Sequence, residues 1–235
     1  MDQRRLQDDI VATLVAARAA ERDIIGSLPE QVRLAPGPDG GWTPKDIQAH
    51  LSLWKARQVA RHAAARRGEE IEPPDEDLDA TNAELYASRA DWSWDAIAAE
   101  AEEVTDQLIA EIQATDLATL TGNERVLGGT MGNGSSHTLE HLPALAHAHG
   151  KDERVMALAH EVEGIIRASG FPDSDKGVFL YNQACFHALA GRLDEARALL
   201  PEAFKSRPDL AEWAQKDTDL DALRDELPAL ASPKP

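Results

Sequence analysis

The chain is 235 residues long, with 43% hydrophobic and 28% charged side chains, the composition of a globular protein rather than a disordered one. It carries 24 basic against 42 acidic residues, a net charge of −18 that would repel a phosphate backbone, so a solubilising surface is expected and nucleic-acid binding is not. A single cysteine, Cys185, excludes an intrachain disulfide; with no signal-like N-terminus and no uncharged run near the roughly 20 residues of a membrane span, a cytoplasmic, non-membrane protein is expected.

Leu6, Ile10, Leu14, Ala17, Ala20 and Ile24 recur at three- and four-residue steps, which predicts an amphipathic helix from about Asp2 to Leu28. Gly26 and Pro29 end it, and Leu34 to Gly41 reads as a turn-rich loop. Thr43-Pro44-Lys45-Asp46 announces the second helix: Thr43 as N-cap, Pro44 at the first position, Asp46 in the first turn. That helix continues to about Arg67, with Ile47, His50, Leu51, Trp54 and Gln58 on one face. An acidic, proline-bearing loop from Glu69 to Asp79 and a short helix from Asn82 to Ser88 precede the third long helix, Ser93 to Ala114. Its core face is Ile97, Ala101, Val104, Leu108 and Ile112, and Trp92 and Trp94 anchor its start.

Five glycines between Gly122 and Gly134 predict an extended loop, after which Ser135 or Ser136 caps a fourth helix. This helix carries His137, His141 and Leu145, and Pro143 is expected to kink it. Composition shifts after Gly150. Helices are predicted over Asp152 to Ser169, Val178 to Ala190 and Leu193 to Lys205, with shorter ones at Leu210 to Gln215 and Leu220 to Leu227 and a frayed Ser-Pro-Lys-Pro end. No segment alternates with a two-residue period, so the fold class is all-α. The expected organisation is a four-helix bundle over 1–150 and a smaller helical segment over 151–235.

His137 and His141 stand one turn apart on the same helix face, a spacing at which two imidazoles can hold one divalent ion. His50, on the apolar face of the second helix, is the candidate third ligand, since bundles build such sites from facing helices. Three imidazoles leave an open position, the pattern of a catalytic rather than a structural zinc. On spacing alone, surface or capping histidines are the commoner outcome, and His147 and His149 fit a helix C-terminus equally well. His62, His160 and His187 have no partner at ligand spacing. Asp46 is a candidate base beside the site or a capping residue, Trp54 a pocket wall or a core aromatic, and Cys185 a buried thiol.

Together these residues resemble the DinB-like superfamily of metal-binding four-helix bundles, and within it the colibactin self-resistance branch, the ClbS and DfsB family. The resemblance rests on Trp42-Thr43-Pro44-Lys45-Asp46-Ile47-Gln48-Ala49-His50-Leu51 with Trp54 a turn later, on Thr81-Asn82-Ala83-Glu84-Leu85-Tyr86 followed by Ser93-Trp94, and on His137-Thr138-Leu139-Glu140-His141-Leu142-Pro143. It implies His50, His137 and His141 as ligands to a divalent transition metal, zinc first with nickel or iron as alternatives. The function it implies is a metal-dependent hydrolase or transferase acting on a small electrophilic or toxic molecule, in detoxification or self-resistance. The nucleophile is water or a small thiol. Tyr181-Asn182, Ala184, Ala188-Leu189, Gly191, Glu195-Ala196, Leu200, Ala203 and Pro208 resemble a tetratricopeptide-like repeat. One repeat and a half are too few to bury a core, so this segment is expected to lean on the bundle, on a protein partner or on a second copy. A non-catalytic binding module is the alternative function.

Overall fold

The computed structural model describes residues 2–37, 41–73 and 77–231, and none of these is in a β-strand. By compactness the chain divides into two units, Asp2–Leu158 and Ala159–Pro235. The elements in order are α1 (Gln3–Glu21), α2 (Glu30–Arg33), α3 (Pro44–Arg67), α4 (Leu78–Arg89), α5 (Trp94–Ala114), α6 (Leu117–Gly122), α7 (Glu124–Met131), α8 (His137–Ala148), α9 (Asp152–Ala168), α10 (Asp173–Leu189), α11 (Leu193–Ser206), α12 (Leu210–Ala214) and α13 (Leu227–Leu230). The unit boundary falls within α9.

In the first unit α1, α3, α5 and α8 are the packed core helices. The stripe Leu6, Ile10, Leu14, Ala17, Ala20 and Ile24 is wholly buried, as its spacing requires. It meets Ile97, Leu108 and Ile112 of α5 and Leu142 and Leu145 of α8 in the same core. The first helix is interrupted rather than continuous: after Glu21 one π turn, Arg22–Gly26, carries the chain on. α3 begins as expected, with a reciprocal capping box. The Asp46 amide donates to Thr43 Oγ1 at 3.1 Å, and the Thr43 amide donates to Asp46 Oδ2 at 3.0 Å. Ser93 caps α5 one way only, its hydroxyl accepting from the Ala96 amide at 3.2 Å. Parts of the loops expected at 34–41 and 69–79 lie outside the described residues, as does the terminal Ser-Pro-Lys-Pro. α4 is longer than the spacing suggested and buries none of its residues.

The stretch Gly122–Gly134 overturns the loop expectation. It is mostly helical, with Val126, Leu127, Thr130 and Met131 buried along α7. Two of its glycines, Gly129 and Gly134, serve close approach rather than turning: a Cβ on Gly129 would stand 2.8 Å from Gln58 Oε1. The Gln58 amide donates to the Arg125 and Val126 carbonyls at 2.9 and 3.0 Å, so α3 and α7 touch across that gap. Neither Ser135 nor Ser136 caps α8, because the π turn Gly132–Ser136 runs into it and leaves no free helix start. α8 passes through Pro143 without a break in its helical assignment.

In the second unit α10 and α11 form an antiparallel hairpin turning at Gly191. Tyr181, Ala184, Ala196, Leu200 and Ala203 are buried as expected, with Leu220 and Leu223 covering one side. From α9, the His160 ring stacks 5.7 Å from His187, and Arg167 pairs with Glu202 at 3.3 Å. Leu189 departs from the expected buried set at 68% exposure: as the last residue of α10 it lies at the turn, past the helix packed against it.

Candidate metal centre

Three side chains from two helices converge on one point. α3 supplies His50, and α8 supplies His137 and His141 one turn apart. The ring centroids of His50 lie 4.7 Å from both others, and those of His137 and His141 are 4.6 Å apart. One ligand nitrogen of each lies within 4.8 Å of the other two. The Nε2 atoms of His50 and His137 are 3.0 Å apart. Tetrahedral ligands about 2.05 Å from a zinc ion stand about 3.3 Å from one another, so the cluster has the right scale for one ion.

Electrostatics agrees with the geometry. Burial, then the neighbouring His141, depresses the His50 pKa to about 4. Burial and the two other imidazoles push His137 lower still, and burial lowers His141 against the opposing charge of Glu140. At neutral pH all three rings are therefore uncharged and keep lone pairs for a Lewis acid. The Nδ1 of His137 is buried with no hydrogen-bond partner among the described residues. A cluster of neutral imidazoles facing each other, with few protein partners of their own, is a donor set that fits a divalent cation.

Local sequence explains why the rings meet. The Thr43 cap fixes where α3 starts and hence which face presents His50. The π turn before His137 inserts a residue and resets the facing of α8. Gly134 in that turn lets Leu14 come close, since a Cβ would fall 2.6 Å from Leu14 Cδ2 and displace it.

Trp54 stands beside the cluster, its ring 6.3 Å from His50 and 6.1 Å from His137. Its indole N–H donates to Asn82 Oδ1 at 3.1 Å and Arg57 lies over its face at 4.9 Å. Trp42, read from the sequence only as part of a motif, is closer still, 4.6 Å from His50. Tyr86 of α4 is near parallel to Trp42 at 6.2 Å. Together with Asp46, Leu85, Arg89 and His50, these two rings line a narrow cleft. One oxygen of Asp46 is engaged by the Thr43 amide and hydroxyl, so the carboxylate both caps α3 and lines the cleft.

Sequence reasoning missed the polar layer behind the cluster. Glu21 and Lys55 form a buried ion pair at 2.6 Å. Gln48 and Thr138 also donate to Glu21, at 3.0 and 2.7 Å. The signal was present: Leu14, Ala17, Glu21 and Ile24 share one stripe, so a carboxylate occupies a core position.

An all-helical bundle with three neutral histidines gathered from facing helices belongs to the metal-binding bundle class. A family model described as the DinB superfamily matches residues 13–152, and the chain belongs to that superfamily. No curated protein and no solved structure matches the chain.

Proposed function

We propose that the first unit is a metal-dependent hydrolase or transferase for a small electrophilic organic molecule, of the detoxification or self-resistance type. The observation that carries this reading is the convergence of His50, His137 and His141 beside an aromatic cleft. A divalent ion held there, zinc first and nickel or iron as alternatives, would supply Lewis acidity and lower the pKa of water toward neutrality. The chain's own residues then do the rest. The imidazoles bind the cation, Trp42 and Tyr86 flank an apolar substrate in the cleft while Trp54 backs His50 from outside it, and Asp46 accepts a proton in the cleft. Likeness of the three motifs to the ClbS and DfsB branch favours water as nucleophile; a low-molecular-weight thiol is the other candidate.

The test begins with tag-free protein, whose metal content is measured before hydrolysis and thiol-conjugation assays on a panel of electrophiles. One ion per chain and turnover of at least one electrophile are expected, both lost in His50→Ala/His137→Ala/His141→Ala. A wild-type protein that takes up no divalent metal would sink the proposal. A second role is favoured by a separate observation: Trp213 and Leu189 of the second unit are 62% and 68% exposed, which suits a tetratricopeptide-like segment that meets a partner or a second copy. Sedimentation equilibrium of Trp213→Ser beside wild type tests the self-association form, which requires the wild type to be the heavier.

A further inference from the structure

Glu21 is an odd residue to find in a core. Its side chain is 4% exposed and that of its partner Lys55 only 1%. Burial opposes its charge, yet the Lys55 ammonium and the hydrogen bonds from Lys55, Thr138 and Gln48 hold its pKa below the ordinary carboxylate value. It is thus an anion with three donors around it. Stability alone gives no reason for such a pair, because apolar side chains of the same volume would serve the core at least as well.

Its connections suggest what it is for. Gln48 and Lys55 lie on α3, the helix of His50, and Thr138 directly follows His137 on α8. The Thr138 hydroxyl lies 2.7 Å from Glu21 Oε1 and 3.1 Å from the carbonyl of Gly134, in the π turn that aims α8. Metal-holding histidines are ordinarily oriented by a partner on their outer nitrogen. Among the described residues the Nδ1 of His137 has none, so the aim of this ring depends on the main chain that carries it and on the rings packed beside it.

We propose that Glu21 is a positioning residue for the histidine cluster: through Thr138 on one side and Gln48 and Lys55 on the other, it fixes α8 against α3 and so points His137 at the shared centre. This rests on the reading of the cluster as a metal site.

The probe is Co2+, titrated into the metal-stripped full-length protein, with affinity and the visible ligand-field spectrum as readouts. Both are recorded well below each variant's melting temperature. Thr138→Val keeps the shape and removes only the hydroxyl. It is expected to keep the helical circular dichroism but to lose about tenfold or more in Co2+ affinity and to shift the spectrum. Thr138→Ser is expected to restore both, and Glu21→Gln to lose at least as much as Thr138→Val. Wild-type affinity and spectrum in Thr138→Val, or no rescue by Thr138→Ser, would overturn the positioning role while leaving the metal site standing. Should Glu21→Gln fail to fold, the threonine pair decides the matter. A wild-type protein that binds no Co2+ removes the site itself, a result distinct from the others.

Discussion

His62 shows how a single buried residue ties stability to pH. The sequence marked it only as a histidine without a ligand partner; the structure places it in the core, with Nδ1 3.2 Å from Thr115 Oγ1 and Nε2 2.7 Å from Thr130 Oγ1. A neutral imidazole donates to one of the two hydroxyls, both of which also donate to helix carbonyls, and burial lowers its pKa from 6.5 to about 4. Because the folded value lies below the unfolded one, the unfolded chain takes the proton first. Its contribution is intact above about pH 6.5 and lost as pH falls toward 4, by about 3 kcal/mol at most. Urea melts of the metal-free protein are expected to show this fall, with a shallower pH dependence in His62→Gln; an equal slope in both would assign the effect elsewhere. Thr43 gives a second prediction at this scale. Its cap was legible from Thr-Pro-x-Asp, the reciprocal bond from Asp46 being added by the structure, and Thr43→Ala is expected to cost about 1 kcal/mol in denaturant unfolding.

Among the elements, those with a strong apolar period were read correctly and those rich in glycine were not. α1 and α5 each bury one stripe, and hydrophobic burial on that stripe requires the helix, whereas α3 is buried on all sides from Gln48 to Lys55. The loop expected over Gly122 to Gly134 is mostly helical: glycine has two uses, turning the chain and letting two surfaces close, and sequence alone does not separate them. Gln58 against Gly129 and Leu14 against Gly134 are contacts between elements more than 70 residues apart. Gly134→Ala puts a methyl against the buried Leu14 side chain and forces it to shift. A loss of about 1–3 kcal/mol is expected, accompanied by weaker Co2+ binding because His137 follows the turn. An alanine variant that matches wild type in both melting and Co2+ titration would show that the turn does not set the site.

The two units place different chemistry in different parts of the molecule. The histidine cluster is built entirely from α3 and α8 in the first unit, while the second unit holds the single thiol. Cys185 is 7% exposed, and burial together with Asp217 and Asp219 pushes its pKa well above the usual thiol value. The native protein is therefore expected to react with a disulfide reagent orders of magnitude more slowly than the denatured chain. Comparable rates in the two states would contradict the burial of α10.

What the sequence determined by itself was whatever depends on neighbours in the chain: the helical periods, the Thr43 cap, the one-turn spacing of His137 and His141, and the resemblance to a bundle superfamily that the family match bears out. Helix formation and capping are settled within a turn or two, so local spacing suffices. Only tertiary structure decided that His50 meets the other two rings, that Trp42 and Tyr86 flank them, and that Glu21 and Lys55 are sealed together behind. Each of those facts joins residues from different helices, and the distance between them is set by how the helices pack and not by any spacing along the chain.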